Sequence, residues 1–373
     1  FSRGGDGKAA VGPVLREYLI GEAMFALGVP TTRALAAVAT GEPVYREQPL
    51  PGAVLARVAS SHIRVGTFEY FSARREEDEL RRLADYTVGR HYPQHVAADN
   101  RYLELLLSVC SAQAELVARW MHIGFIHGVM NTDNVTVSGE TIDYGPCAFM
   151  DTYDPETVFS SIDRHGRYAF GEQPKITLWN LSRFAEALLP LLANDQDDAI
   201  SLAEQALQSY LPQYQAAWLK GMSAKLGLSG TEDSDLKLVE AFLGLLEKQR
   251  VDFTMGFRAL SAAARGDASP IEALLADRPP LDAWLKSWRT RLDRGSQSPS
   301  AAADAMDNVN PLYVPRNHKT EEALAAATDD GDLALFDALL DVVTAPFTEK
   351  PGMLGYTRPA PDDFGPYRTF CGT

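Results

Sequence analysis

Residues 127–134, His-Gly-Val-Met-Asn-Thr-Asp-Asn, form a polar stretch that is followed by a second short motif, Thr-Ile-Asp-Tyr-Gly, at residues 141–145. The segment before them, residues 101–124, carries apolar residues at helical spacing and predicts a long helix. Residues 135–145 predict two short strand-like pieces that form a hairpin. We therefore expect a helix, a polar loop at residues 127–134 and a strand ending at Asp143, which together bring amide and carboxylate groups to one place.

The spacing of these polar groups is typical of protein kinases. Their catalytic loop is His-x-Asp with an Asn five residues after the Asp, and a second Asp follows in Asp-Phe-Gly. Asn134 falls at the kinase asparagine position counted from His127, and Asp143 falls at the second metal-binding aspartate. Both supply the hard oxygen atoms that Mg²⁺ prefers. The position of the usual catalytic base holds Val129, so Asp133 is the obvious replacement carboxylate.

The same residues have a simpler interpretation. Asn-Thr-Asp-Asn is good turn chemistry, because Asn and Asp side chains bond to nearby backbone. Asp-Tyr-Gly is equally compatible with an ordinary strand end. The order of helix, loop and strands, with three polar residues at kinase-like spacing, leaves both interpretations open.

Composition narrows the class of protein. Lys and Arg number 35 and Asp and Glu 50 in 373 residues, which gives a formal charge of −15. This balance argues against nucleic acid or an anionic membrane surface as the main partner. No run approaches the roughly 18 apolar residues that a membrane-spanning helix needs. The three cysteines, Cys110, Cys147 and Cys371, fit no zinc or CxxC pattern.

The rest of the chain predicts an α+β architecture, mixed at the front and helical behind, with no internal repeat. A helix is expected from Val14 to Gly28, and Ser/Ala-rich composition predicts a linker over residues 296–303. Strands are expected at 34–38 and 53–58, further helices at 68–75, 79–89, 177–193, 197–210, 234–248 and 333–343, and a Pro/Gly-rich tail at 349–367.

Beyond these patterns, the chain resembles the selenoprotein O family of protein-AMPylating pseudokinases. The stretches that carry the resemblance run from residue 1 to about residue 318: FSRGGDG, GPVLREYLIGEAMFALGVPTTRALA, HIRVGTFEYF, HGVMNTDN, TIDYGPCAFMD and NPLYVPRNH. The resemblance implies a protein-kinase-like fold with an incomplete N-terminal lobe and a large, mostly α-helical C-terminal region. Its expected divisions are a remainder of the N-lobe at 1–75, a C-lobe at 76–295, and a helical extension with a flexible tail at 296–373.

The family's activity implies that ATP binds in a flipped orientation, with its α-phosphorus facing the acceptor. AMP would then pass to a Ser, Thr or Tyr hydroxyl of a protein, with Mg²⁺ or Mn²⁺ required and UMP transfer from UTP also known in the family. Two alternatives remain open: phosphoryl transfer from ATP in the ordinary orientation, and a catalytically inactive nucleotide-sensing pseudokinase. A bacterial cytoplasm is the expected location, or mitochondria for a eukaryotic source.

Site residues follow from the resemblance one by one. Asp133 would accept the proton of the attacking hydroxyl, and Asn134 and Asp143 would hold the metal. Asp143 would also lie near the phosphates. The remaining residues expected to contact ATP are the loop residues Asp6 and Gly7 and the arginines Arg57 and Arg64.

These assignments have plain alternatives and open points. Without the family, Arg57 and Arg64 would be ordinary surface residues and Asp6 a turn residue. Glu17 matches the helix glutamate that pairs with the nucleotide-binding lysine, but that lysine and the family's Gly-rich loop lie upstream of residue 1. The resemblance therefore implies a truncated N-terminus. Cys371 matches a position that is selenocysteine in some members, which suggests a redox role or an incidental tail cysteine.

Overall fold

A small antiparallel sheet forms the front of the molecule. The computed structural model describes residues 5–370, and its first sheet has the order β1-β3-β2. The strands are β1 (Ala9–Ala10), β2 (Arg33–Tyr45) and β3 (Pro49–Val58). The two predicted strands are present but longer than expected. Prolines are uncommon inside strands, so Pro43, Pro49 and Pro51 kept the sequence from showing the full length of β2 and β3. Pro43 and Pro51 pair with each other beside a register irregularity, where the ladder is already interrupted.

Helix α1 (Val11–Ala26) packs against this sheet and ends as the sequence predicts. Its buried face includes Leu19, Ile20, Ala23 and Met24, which recur at helical spacing. Gly28 follows in the left-handed conformation (φ +77°), which glycine adopts without steric cost. The helix begins at Val11, three residues before the predicted start.

Helices make up most of the remaining structure, and α4 lies among them in contact with α5, α6 and α7. Most of the predicted helices are confirmed within a few residues. The helices are α2 (Val65–Ser72), α3 (Glu77–His91), α4 (Arg101–His122), α5 (Gln173–Leu192), α6 (Gln196–Gln208), α7 (Tyr210–Lys225), α8 (Asp235–Gln249), α9 (Phe253–Ala264), α10 (Ser269–Leu274), α11 (Arg278–Leu292), α12 (Pro299–Asp307), α13 (Asn317–Asp329) and α14 (Ala334–Val343).

The predicted helix at 197–210 is confirmed as α6, which ends at Gln208, and Tyr210 begins α7. One expectation was wrong. The predicted linker at 296–303 is largely helix α12. The Ser298 hydroxyl accepts a hydrogen bond from the backbone N–H of Ala301, and Pro299 occupies the first helical position. This Ser-Pro pair is therefore a helix start.

The predicted hairpin over residues 135–145 is also wrong. Instead of pairing with each other, its two halves bond to segments that lie earlier in the chain. Val135 and Val137 exchange backbone hydrogen bonds with Val65 and Ile63, while Thr141 bonds to Pro30 and Thr32. The short strands that are present, β4 (Phe125–Ile126) and β5 (Ala148–Phe149), flank the segment and pair with each other.

The region before α13 ties the back of the molecule to β5. The side chain of Asn317 accepts a hydrogen bond from Phe149 N (3.2 Å) and donates one to Phe149 O (2.8 Å), as a neighbouring strand would. Arg316 is fully buried and pairs with Asp151 and Asp252 (2.6 Å each). The stretch NPLYVPRNH thus fixes the segment that follows residue 145.

The chain has a helix-rich α+β fold. Across residues 5–370, no helix combines the length and the apolar character that crossing a bilayer would require.

Candidate active site

A cleft of about 930 Å³ lies between the sheet, the start of α1 and residues 127–134. Residues 127–134 are called the catalytic loop, after the kinase segment that they match. It brings together every predicted site residue except Asp6. The predicted residues that line it are Gly7, Arg57, Arg64, Asp133, Asn134 and Asp143, and Glu17 and Val129 line it as well. Residues that lie far apart in the sequence therefore share one cavity.

Asp6 lies outside the lining of this cleft. Its carboxylate accepts hydrogen bonds from both terminal nitrogens of Arg46 (2.9 and 3.3 Å) and from Lys8 N (3.0 Å). The bond from Arg46 is the main reason that the pKa of Asp6 falls to about 2. Asp6 thus shapes the loop that presents Gly7, whose φ of +68° favours glycine, to the cleft.

The catalytic loop is held by its own side chains. Asn131 accepts a hydrogen bond from Asp133 N (3.0 Å), and Asn134 donates from its amide nitrogen to Val129 O (3.0 Å). Because that nitrogen is used inside the loop, the chemistry of the amide leaves Oδ1 as the atom of Asn134 suited to a cation.

Asp133 lies against the first turn of α2. A Cβ built at Gly66 would be only 2.3 Å from Asp133 Oδ1, so the carboxylate occupies space that only a glycine leaves open. The positive end of a helix dipole favours a carboxylate at this place. Sequence reasoning missed Gly66 because the helix was predicted to begin at residue 68, so this glycine fell outside it.

Asp143 adopts a left-handed backbone conformation, with φ at +69°. Such values are uncommon outside glycine, and strained backbone is concentrated at functional sites. Residues 143–147 are called the metal loop below. The predicted strand ending at Asp143 is absent, because Thr141 forms only an isolated bridge, but Asp143 does line the cleft. Its backbone strain is a feature that spacing along the chain could not reveal.

Glu17 has a partner that the sequence did not indicate. Its Oε2 lies 2.6 Å from Arg57 Nη2, and its Oε1 accepts a hydrogen bond from Tyr144 N (2.8 Å). Burial raises the pKa of Glu17; Arg57 opposes this shift, and the charge of Asp143 adds to it. Glu17 therefore links α1, β3 and the metal loop, and Arg57 serves in a charge pair within the cleft.

His127, the first residue of the catalytic loop, is buried and does not line the cleft. Its ring donates from Nε2 to Ile142 O (2.9 Å), and its backbone N–H donates to the buried Gln173 (3.0 Å). Burial lowers the pKa of His127, against the opposing effect of Asp143. These contacts give His127 a structural role in the loop.

Two of the three cysteines lie among the described residues, and neither is exposed. Cys110 and Cys147 are buried thiols, and burial raises the pKa of each to about 12. Both side chains therefore serve packing. Cys371 lies outside the described residues.

A divalent cation fits the donor set at this site. Asn134 and Asp143 offer one amide and one carboxylate, and Mg²⁺ in phosphate-processing sites takes only one or two carboxylates and completes its shell with water and phosphate oxygens. Within residues 5–370, no group of three or more His, Cys, Asp or Glu side chains forms a closed metal cage. The residues present suit an open site that a phosphate would complete.

The cleft thus combines carboxylate and amide oxygens that suit a cation with two arginines that suit phosphate, a set expected of an enzyme that acts on phosphate groups. A family profile described as "Protein adenylyltransferase SelO" matches residues 1–344, and the chain belongs to this family. The resemblance found in the motifs is thereby confirmed.

Its curated relatives are bacterial proteins named "Protein nucleotidyltransferase YdiU". The chain is 58% identical over 375 residues to that of Rhizobium johnstonii and 59% identical over 379 residues to that of Mycolicibacterium paratuberculosis. It is 55% identical over 375 residues to that of Rhizobium meliloti. In all three cases the match covers 100% of this chain; it covers 75% of the first two relatives and 76% of the third.

Proposed function

We propose that this protein transfers AMP from ATP, and UMP when UTP is supplied, to Ser, Thr or Tyr hydroxyls of proteins. The carrying observation is that the cleft collects Asp133, Asn134, Asp143 and Arg64 while Val129 replaces the usual kinase base. Family membership supports nucleotidyl transfer over phosphoryl transfer. A kinase-like fold and the division at residues 75 and 295 belong to the same proposal.

The proposed chemistry uses the chain's own residues at defined atoms. The carboxylate of Asp133 takes the proton of the acceptor hydroxyl, whose oxygen forms a bond to the α-phosphorus of ATP. The bond from that phosphorus to the β-phosphate oxygen breaks, and pyrophosphate leaves. A positioned base of this kind typically contributes about 10²–10⁴-fold in rate.

The charge on the phosphates would be met by two arginines that line the same cleft. Arg64 can contact phosphate oxygens through two bonds, and Arg57 adds positive charge beside Glu17. Asn134 and Asp143 would hold Mg²⁺ or Mn²⁺, which neutralises the charge that develops on the phosphates when it is bound. Asp6 holds the backbone at Gly7, which lines the cleft near the expected phosphate position.

The test uses ATP labelled on the α-phosphate in one sample and on the γ-phosphate in another. Each is incubated with Mg²⁺, the protein and a heat-inactivated protein extract as acceptor, and protein-bound label is measured. We expect label from the α-position only. Asp133→Asn should lower this labelling by at least about 100-fold, the lower end of base catalysis, and Asp143→Asn should remove Mg²⁺-dependent ATP binding.

Asp99→Asn is the matched control, because Asp99 is an exposed carboxylate away from the cleft. Label from the γ-position only would mean phosphoryl transfer. ATP binding without any label would favour the nucleotide-sensing alternative. Normal α-labelling by Asp133→Asn would contradict the assignment of the base.

A further inference from the structure

Two consecutive carbonyls of the metal loop are held by side chains from distant parts of the chain. The hydroxyl of Thr369 donates to Pro146 O (2.6 Å), and Arg16 donates from Nη1 to Cys147 O (3.3 Å). Thr369, Arg16 and Cys147 are all buried. The loop that carries Asp143 is thus held by two side chains that do not themselves line the cleft.

The carbonyl of Pro146 is enclosed on two sides. A Cβ built at Gly128 would lie 2.4 Å from Pro146 O, so the backbone of the catalytic loop already touches this oxygen. Thr369 donates to the same atom. Because Gly128 lies against this carbonyl, its position affects both the catalytic loop and the metal loop. Gly145 and Pro146 also line the cleft.

Arg16 is in turn oriented by Tyr367. The Tyr367 hydroxyl accepts from Arg16 Nη2 (2.8 Å) and donates to Glu321 Oε1 (2.6 Å), and Glu321 forms an ion pair with Arg16. Arg16 directly precedes Glu17, which accepts from Tyr144 N. Adjacent residues of α1 therefore hold the metal loop at two points, Tyr144 and Cys147.

The segment that carries Tyr367 and Thr369 is itself anchored. Thr369 donates its backbone N–H to Phe159 O and accepts from Ser161 N, both at 2.9 Å. The Tyr367 ring lies against the rings of Phe159 and Phe364, with centroids 5.7 and 5.6 Å away. These contacts set the position from which both hydroxyls reach the metal loop.

We propose that Thr369 and Tyr367 are positioning residues of the site, acting on the metal loop through Pro146 and through Arg16. The proposal rests on the proposed function, since it assigns the metal loop to Mg²⁺ and nucleotide. Neither residue lines the nucleotide cleft. Their loss should therefore weaken binding of the Mg²⁺–ATP complex without removing any of its ligands.

The test compares Thr369→Val, which keeps the shape and loses the hydroxyl, with Thr369→Ser, which keeps the hydroxyl. Binding of MgATP is measured by titration calorimetry, and amide hydrogen exchange is followed at residues 143–150 in protein without nucleotide. We expect Thr369→Val to bind MgATP about 3- to 10-fold more weakly, the range that one buried hydrogen bond spans. Exchange at residues 143–150 should be faster in the same variant.

Thr369→Ser should restore both readouts to within about twofold of the original, because one hydrogen bond is regained. Arg368→Ala is the control for general disturbance, since Arg368 is exposed between the two residues. Tyr367→Phe, which keeps the ring contacts, should weaken MgATP binding in the same direction. It provides a second test should Thr369→Val fail to fold.

The outcomes separate the two proposals. This inference alone would be overturned if the unsubstituted protein binds MgATP and both Thr369→Val and Tyr367→Phe bind it equally well. That conclusion would hold even if amide hydrogen exchange changed. Weak binding in Thr369→Ser equal to that in Thr369→Val would overturn it too. Failure of the unsubstituted protein to bind MgATP would overturn the proposed function and this inference with it.

Discussion

At the scale of single residues, the site depends on a glycine that leaves space as well as on its charged side chains. Asp133 can lie against α2 only because Gly66 carries no side chain. Asp143 keeps a left-handed backbone that aspartate tolerates better than most residues. Glu17 and Arg57 form an ion pair in the same cleft. The candidate base and the candidate metal ligands are thus set by close packing and by one charge pair.

Gly66→Ala should therefore impair transfer while the fold persists. The added methyl would meet Asp133 Oδ1 at 2.3 Å, so the carboxylate must move. We expect kcat/KM for AMP transfer to fall by about 100-fold, comparable to loss of the base, with thermal unfolding little changed. Gly89→Ala in α3 is the matched control, because nothing lies within 4 Å of its Cβ position. Equal activity in the two variants would contradict this packing argument.

Sequence reasoning performed well at this scale where spacing along the chain was enough. Asp133, Asn134 and Asp143 lie in one cleft as their spacing indicated. It failed where contacts are non-local: the partner of Glu17 is Arg57, forty residues later, and Asp6 faces Arg46. No local pattern encodes which charge on one segment meets which charge on another.

At the scale of elements, helix periodicity located most helices, whereas the segment at 135–145 was misjudged. Its alternating residues predicted a hairpin, but its backbone groups are taken by residues 30–32 and 63–65. The alternation of a strand says that partners exist and leaves their identity open. The α4–α7 contact carries a similarly unforeseen feature, because His122 lies on Gly221 with a hydrogen bond to Trp218 O (2.9 Å).

His122 makes this helix pair sensitive to acid. Burial lowers the pKa of His122 to about 4, from 6.5. As pH falls from about 6.5 to about 4, the unfolded chain takes up a proton that the folded protein resists, so stability decreases. By linkage this loss is up to about 3 kcal/mol.

The measurement is the free energy of unfolding from urea titrations at several pH values between 4 and 7, for the original protein and His122→Gln. The difference between the two should shift in favour of the variant as pH falls through this window. A difference that stays constant with pH would show that His122 is not the group responsible. His62→Gln is the control, since His62 is exposed and away from α4.

At the scale of the whole molecule, buried charges connect the site to the helical region behind it. Arg316, before α13, pairs with Asp151 after β5 and with Asp252 at the start of α9. It also donates to Thr357 O (2.7 Å) in the Pro/Gly-rich tail at residues 349–367. One guanidinium therefore joins four separate parts of the chain, whereas the sequence marked NPLYVPRNH for its family resemblance and gave no partner for Arg316.

Arg316→Met should destabilise the protein strongly. The change leaves two carboxylates near a buried position without their cation, which costs about 3–5 kcal/mol when a buried pair is broken. Chemical denaturation of both proteins measures it. Arg82→Met is the surface control: its side chain is 77% exposed in an i,i+3 pair, so a cost below about 1 kcal/mol is expected. Similar losses in the two variants would refute the role given to Arg316.

The hydrogen bond between Thr369 and Pro146 spans 223 positions of the chain. During synthesis, the loop bearing Asp143 leaves the ribosome long before the hydroxyl that steadies it has been made. A nascent chain that already contains every proposed ligand for metal and nucleotide therefore still lacks one support of that loop. Translation therefore delays the last side-chain hydrogen bond to this loop. A chain that stops before residue 369 would lack the proposed support that Thr369 gives to Pro146.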